Sequence, residues 1–145
     1  MSDERENWLR SLRPESIEQH IDDLLASLSD SNARMRVLTL ETLGKLEPST
    51  LAQHAAAVAA RLEDSVEDVR YQACETLGKL EPATLAQHVE ALVAKLEDSG
   101  WVVRVAALET LAKLEPATLA QHAGAVVARL EDSVEDVRYQ ACETL

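Results

Sequence analysis

Residues 130–145 read LEDSVEDVRYQACETL, and residues 62–77 repeat the same letters in the same order. The recurrence extends beyond this segment, because the dipeptides Glu-Pro and Gln-His return every 34 residues. The period is marked by Glu47-Pro48, Glu81-Pro82 and Glu115-Pro116, and by Gln19-His20, Gln53-His54, Gln87-His88 and Gln121-His122. A fixed period of this length is typical of a solenoid, in which each repeat buries its apolar face against its neighbours.

Each period contains two helical patterns. In the first, apolar residues follow one face of a helix that begins at Pro82 and continues to Leu96. In the second, an apolar stripe runs from Val69 to Leu80. The turn before the second helix predicts a capping box, formed by Ser65 with Asp68 or by Asp64 with Glu67.

Every one of these turns carries an aspartate, and an arginine follows six residues later. The pairs are Asp30 with Arg36, Asp64 with Arg70, Asp98 with Arg104, and Asp132 with Arg138. A valine precedes the arginine at Val69, Val103 and Val137, and Met35 takes this place in the first repeat. In this pattern the chain resembles HEAT repeats. The resemblance implies a hydrogen-bonded ladder of these Asp and Arg residues between neighbouring repeats, and Arg-bearing helices that line a concave face.

Two other families share a period of 33 or 34 residues. The chain lacks the Trp, Gly, Tyr, Ala and Phe pattern of tetratricopeptide repeats, and it contains no Phe at all. It also lacks the Thr-Pro-Leu-His segment of ankyrin repeats. We therefore expect an all-α, right-handed α-solenoid of antiparallel helix pairs with a 34-residue period.

The whole chain, residues 1–145, is expected to form a single HEAT-like array. Residues 4–13 align with a shortened second helix, and residues 1–13 are predicted to form an N-terminal capping helix. The repeats are approximately 14–47, 48–81, 82–115 and 116–145. The sequence stops at Leu145 within the last second helix, which would leave part of an apolar stripe exposed. We expect either a fragment of a longer array or end-to-end self-association through this helix.

The net charge of −12 argues against nucleic acid and anionic membranes as partners, because both attract clustered Lys and Arg. It favours solubility, or a basic partner. The chain shows no apolar run of about 18 residues and no signal-peptide core in its start, MSDEREN, so a cytoplasmic, intracellular protein is expected.

Comparison of the repeats with one another locates the positions where a function could reside. Most positions barely change, but four on each Arg-bearing helix vary in chemistry. They are Ala33, Arg34, Val37 and Leu38, then Glu67, Asp68, Tyr71 and Gln72, then Trp101, Val102, Val105 and Ala106, and finally Glu135, Asp136, Tyr139 and Gln140. Helical geometry predicts that three of each set point away from the apolar stripe and that the fourth lies on its flank.

We expect these variable positions to bind a protein or peptide. Trp101, Tyr71 and Tyr139 would serve as anchors, since exposed Trp and Tyr are common hot-spot residues. The acidic Glu67, Asp68, Glu135 and Asp136 would select basic residues in the partner. The alternative is that these residues changed by neutral drift, because packing does not constrain their positions. In that case Trp101 would fold back over the turn at Ser99 and Gly100.

Catalytic, metal and cofactor sites are not expected. The four histidines of the Gln-His pairs lie in equivalent places of different repeats, roughly 10 Å apart. They cannot converge on one metal ion, so we expect inter-repeat packing or hydrogen bonding from them. Cys74 and Cys142 stand where other repeats carry leucine and are expected to be free thiols.

The interpretation is therefore a non-catalytic binding scaffold, with two alternatives. One is a partner or subunit of a lyase-type enzyme, since some HEAT-like repeats resemble those of lyases that attach pigments to phycobiliproteins. The other is an engineered or consensus repeat protein without a native function, which the near-identical repeats favour.

Overall fold

The computed structural model describes residues 2–145, with side chains from Glu4 onward, and every regular element in that range is helical. Met1, the first residue of the predicted capping helix, lies outside the described residues. The chain divides into two compact units, Met1–Leu80 and Glu81–Leu145. They are called the N-terminal half and the C-terminal half below, and the single array remains a prediction.

After a first helix of ten residues, the N-terminal half alternates pairs of short helices with longer helices that carry the variable positions. Its helices are α1 (Ser2–Ser11), α2 (Pro14–Gln19), α3 (Ile21–Ser27), α4 (Ala33–Leu43), α5 (Pro48–Ala52), α6 (Ala55–Ala60) and α7 (Glu67–Leu77), with a 3₁₀ turn at Arg61–Glu63. Helix α4 contacts α1, α3 and α7, and α7 also contacts α6. This half is thus built of stacked helix pairs.

The C-terminal half follows the same order. Its helices are α8 (Pro82–Leu85), α9 (Val89–Ala94), α10 (Trp101–Leu111), α11 (Pro116–Ala120), α12 (Ala123–Ala128) and α13 (Glu135–Thr144), with 3₁₀ turns at Ala86–His88, Lys95–Glu97 and Arg129–Glu131. Helix α10 contacts α9 and α13, and α13 contacts α12. The core of each half is largely aliphatic, and its fully buried side chains are mostly leucines.

The first helix of each repeat is interrupted at its histidine. The φ and ψ angles there are −116° and 21° at His20, −120° and 11° at His54, −115° and 14° at His88, and −118° and 15° at His122. The His54 N–H bonds to the carbonyl three residues back, Leu51 O, at 2.9 Å, which tightens the end of α5 before α6 begins. The prediction of one continuous helix from Pro82 to Leu96 is therefore wrong.

The two cysteines are free thiols, as the sequence predicts, but their surroundings differ. Cys74 in α7 is buried, whereas Cys142 at the same place in α13 is exposed. Within the described part of the chain, none of the helices has the length and apolar character needed to cross a bilayer.

Candidate protein-binding surface

The aspartate in each turn accepts a hydrogen bond from the backbone N–H two residues further on. Asp64 Oδ1 accepts from Val66 N at 2.9 Å, and Asp132 Oδ1 accepts from Val134 N at 3.0 Å. Val66 and Val134 are the N-caps of α7 and α13, and neither helix has a side-chain cap. The predicted capping box is therefore wrong, because the aspartate shapes the turn itself rather than capping the helix.

Arginines of the second helices connect successive turns. Arg36 donates through Nε and Nη2 to the two carboxylate oxygens of Asp64 at 2.8 and 2.9 Å, and through Nη1 to the carbonyl of Asp30 at 2.7 Å. In the C-terminal half, Arg104 binds Asp132 in the same way at 3.0 and 3.1 Å. The planar guanidinium suits such two-pronged contact with a carboxylate.

The two remaining arginines of this row also bond to the turn that precedes them. Arg70 Nη1 donates to the carbonyl of Asp64 at 3.0 Å, and Arg138 Nη1 donates to the carbonyl of Asp132 at 2.8 Å. Asp98 is ion-paired with Lys95 at 3.9 Å, and its carbonyl accepts from Arg104 at 2.7 Å. These contacts hold the start of each second helix against its own turn.

The contacts lower the pKa values of two turn carboxyls, those of Asp64 and Asp132. Burial raises the pKa of Asp64, but hydrogen bonds from Arg36 and the Val66 N–H offset this, so the net pKa lies below its ordinary value of 3.8. Asp132 behaves alike: burial raises its pKa, and Arg104 and the Val134 N–H bring it below that value. These carboxylates are charged at neutral pH.

Helix α1 contributes two charged residues that the sequence pattern does not reveal. Arg5 donates to Asp30 Oδ2 at 2.7 Å, and this hydrogen bond lowers the pKa of Asp30. Glu6 is buried and ion-paired with Arg34 at 2.8 Å. At these two places of the repeat the other second helices carry uncharged residues, so no periodic signal identifies Arg5 and Glu6. Their contacts attach α1 to α4.

A groove lies between α4 and α7 in the N-terminal half. The cavity measures about 370 Å³ and has a mixed polar and apolar lining. It is lined by Ala33, Arg34, Val37, Glu41, Val66, Asp68, Tyr71 and Gln72. The structure thus brings variable positions of two successive Arg-bearing helices to one concave place. Glu67 is exposed beside them.

In the C-terminal half the same positions lie on α10 and α13. Trp101 is 43% exposed and Tyr139 is 65% exposed. The side chain of Trp101 is therefore not buried against the turn that precedes its helix, as the alternative of a folded-back Trp101 suggested. Glu135 and Asp136 are exposed, and Val102, Val105 and Gln140 are half-buried. This region presents aromatic and acidic side chains together.

Two variable positions are not at the surface. Leu38 is only 6% exposed, and Ala106 at the same place in α10 is buried as well, so their assignment as surface positions is wrong. The reason is that α4 contacts α1, α3 and α7, which widens its buried sector beyond a single stripe. Gln72 and Gln140 at this place are half-buried instead.

Over the described residues, no group of three or more His, Cys, Asp or Glu side chains is arranged to hold a metal ion. His20 makes an edge-on ring contact with Trp8, with the ring centroids 5.3 Å apart. This contact is a packing role of the kind expected for the histidine row.

These features define a helical repeat protein of the HEAT-like class, as the resemblance in the sequence indicates. Residues 23–123 match the family model described as Sister chromatid cohesion protein PDS5 protein. The match covers more than half of the chain, and the chain belongs to this family. No curated protein matches the sequence.

Solved structures with the same fold are also helical repeat proteins. The complex of CpcE and CpcF of phycocyanin lyase from Nostoc sp. PCC7120 matches with a TM-score of 0.77 and 20% identity, over 99% of this chain and 88% of that chain. A designed armadillo repeat protein in complex with the peptide (KR)4 matches with a TM-score of 0.69 and 17% identity, over 95% and 70% of the two chains. The likeness confirms the all-helical repeat fold.

Proposed function

We propose that this chain is a non-catalytic scaffold that binds a protein or peptide through the variable positions of its Arg-bearing helices. The observation that carries the proposal is the groove of about 370 Å³ between α4 and α7. Residues at its rim differ between repeats, although the rest of the repeat barely changes. A concave surface that combines apolar and polar side chains is typical of a ligand site.

The preferred partner is a basic segment. The variable positions of α10 and α13 include Glu135 and Asp136 and contain no Lys or Arg. Exposed Trp101 and Tyr139 offer aromatic faces to which a guanidinium or ammonium group is attracted. The groove of the N-terminal half is less acidic, because Arg34 lines it together with Glu41 and Asp68.

The fold supports the same class of partner. One structure with this fold is a designed repeat protein bound to the peptide (KR)4. That likeness concerns the fold alone, and its transfer to this chain is part of the proposal. The alternative role as a lyase subunit has only the fold likeness to CpcE and CpcF in its favour.

The test is the affinity of residues 1–145 for a fluorescent (Lys-Arg)4 peptide, measured by anisotropy. We expect Trp101→Ala, Tyr71→Ala and Tyr139→Ala each to weaken binding about tenfold, as hot-spot truncations do. Trp8→Ala is the matched control, since Trp8 is similarly exposed but lies on α1. Asp136→Asn should weaken binding more than Glu115→Gln, which removes the same charge from an exposed place outside the variable positions.

Two results would contradict the proposal. One is equal affinity for (Lys-Arg)4 and for an uncharged Gly-Ser peptide of the same length. The other is full affinity in all three aromatic variants. Either outcome would indicate that the variable positions do not form a binding site.

A further inference from the structure

Two departures from the repeat contact each other beside the groove between α4 and α7. Arg34 lines this groove at a place where no other second helix carries a basic residue. Glu6 stands at a place where all the other second helices carry Leu or Cys. The Nε group of Arg34 lies 2.8 Å from Oε1 of Glu6. The two residues that break the pattern therefore form one charged pair.

Packing alone does not require this pair. The side chain of Glu6 is only 7% exposed, and the leucine at the same place in α4, Leu40, is fully buried. Burial of a carboxylate costs free energy unless a cation compensates it, and apolar residues in such places are often at least as stabilising. The chain thus carries a charged pair where its own repeat offers an apolar solution. Departures of this kind are expected at functional sites.

The ion pair with Glu6 leaves part of the Arg34 guanidinium open to the groove. The side chain of Arg34 is 62% exposed, and within the described residues its Nη1 and Nη2 groups donate no hydrogen bond. Arg10 approaches the second oxygen of Glu6 at 3.9 Å. One carboxylate therefore faces two guanidinium groups, so a net positive charge remains at this end of the groove.

The rest of the groove is negative. Asp68 lines it from α7, and Glu41 lines it two turns after Arg34 on α4, about 10 Å further along the helix. Over the part of the chain that the structure describes, neither carboxylate is in an ion pair, so Arg34 and Asp68 do not neutralise each other. Val37 lies between Arg34 and Glu41 on the same face of α4. Charges of both signs thus line one groove with apolar surface between them.

We propose that this groove holds an acidic side chain of the partner against Nη1 and Nη2 of Arg34, and a neighbouring basic side chain against Asp68 and Glu41. The inference rests on the proposed function and narrows it, because the segment bound here carries an acid beside a base rather than bases alone. Charge complementarity specifies the acid, since a guanidinium presents parallel N–H groups to a carboxylate.

The experiment compares two fluorescent peptides of equal length, (Lys-Arg)4 and (Lys-Glu)4, by anisotropy with residues 1–145. Both are amidated, so that only side chains supply carboxylates, and every register of (Lys-Glu)4 places an acid beside a base. The main variant combines Glu6→Leu with Arg34→Asp. It installs the residues that Leu40 and Asp68 provide at the same places of the next repeat, so no buried carboxylate loses its partner.

We expect the double variant to bind (Lys-Glu)4 about tenfold more weakly, because a repulsion replaces an attraction. Its affinity for (Lys-Arg)4 should not fall. Arg13→Gln is the matched control, since it makes the same change in net charge at an exposed place outside the groove. It should leave the ratio of the two affinities unchanged.

Arg34→Lys is a second variant that retains the charge opposite Glu6 and so preserves the fold. An ammonium group held by Glu6 offers no second edge to a carboxylate. We expect this variant to bind (Lys-Glu)4 about fivefold more weakly and (Lys-Arg)4 with unchanged affinity. A role of Arg34 in folding alone would alter the binding of both peptides alike.

Three outcomes would overturn the inference. They are no binding of (Lys-Glu)4, unchanged affinity for (Lys-Glu)4 in the double variant, and equal losses for both peptides in Arg34→Lys. The proposed function fails in a different way. If (Lys-Arg)4 does not bind while (Lys-Glu)4 binds in an Arg34-dependent manner, the preference for a wholly basic partner is wrong and the charge selection by Arg34 stands.

Discussion

Arg36 donates two hydrogen bonds to the carboxylate of Asp64, which lies 28 residues further along the chain. It also donates to the main-chain carbonyl of Asp30, six residues before it. One guanidinium therefore joins two turns. The side chains of Arg36 and Asp64 are only 11% and 4% exposed, so the pair is shielded from water. The stability of the N-terminal half should depend on it.

We expect Asp64→Asn to lower the free energy of unfolding by on the order of 3 kcal/mol, because it leaves the charge of Arg36 poorly compensated in a shielded place. The asparagine oxygen can still accept from the Val66 N–H, so the turn itself is preserved. Urea denaturation followed by circular dichroism measures the change. Asp30→Asn is the matched control, since its partner Arg5 is 54% exposed and such pairs contribute about 1 kcal/mol or less. Equal losses in the two variants would contradict this assignment.

The stability should also depend on pH in the acid range. The pKa values of Asp64 and Asp132 are lower in the folded chain than the ordinary value of 3.8, so the unfolded chain binds protons first as pH falls. Their contribution is complete above about pH 4 to 5 and is lost as pH falls through the folded-state pKa values. Denaturation curves between pH 7 and pH 2 measure this loss. The double variant Asp64→Asn and Asp132→Asn should show a smaller loss over the same range, and an unchanged pH profile would count against the mechanism.

The hydroxyl of Thr76 is buried and donates to the carbonyl of Leu40. Thr76→Val replaces that hydroxyl with a methyl group of similar size, and we expect a loss of about 1 kcal/mol. The carbonyl of Leu40 also accepts from the Gly44 N–H, which keeps the cost modest. Thr144→Val removes the corresponding bond in the C-terminal half and should give a similar loss. Thr118→Val, at a half-buried place on α11, serves as the reference for replacing a threonine elsewhere.

Gly124 lies inside α12, and a Cβ atom added there would meet nothing within 4 Å. Gly124→Ala should therefore raise the free energy of unfolding by about 0.5–1 kcal/mol, because alanine restricts the unfolded chain and favours the helix. Gly44→Ala is the contrasting variant, since the added Cβ would lie 3.2 Å from the carbonyl oxygen of Glu41. We expect a smaller gain or none there. Thermal unfolding of the two variants measures the difference in stability. A loss of stability in Gly124→Ala would refute the prediction.

The sequence predicts the helical, HEAT-like fold because the apolar stripes and the Asp and Arg spacing recur in every repeat. It does not reveal the break at His54, since neither proline nor glycine marks it and the change lies in the backbone angles. The sequence also wrongly predicts that Leu38 is at the surface. The apolar stripe of one helix does not show how many other helices pack against it. Comparison of the repeats does not identify Arg5 and Glu6, because no charged residue recurs at their places in the other repeats.

The sequence also predicts only part of the candidate surface. The variable positions are identified by comparison of the repeats, and Asp68 and Tyr71 line a groove together with Arg34 and Val37. The ion pair between Arg34 and Glu6 could not be foreseen, because Glu6 stands at a place where the other repeats carry Leu or Cys. Contacts between a repeat and a neighbour of different sequence are therefore the ones that the repeat pattern leaves undetermined.

The two bonds that recur between second helices join residues 28 and 36 positions apart, one repeat length less six and one repeat length plus two. Insertion or deletion of a whole repeat would therefore restore both partners in register, whereas a change of any other length would separate them. Gene segments of this kind can be gained or lost through unequal recombination without a new set of contacts having to evolve. The identity of residues 62–77 and 130–145 is the trace that such an event would leave.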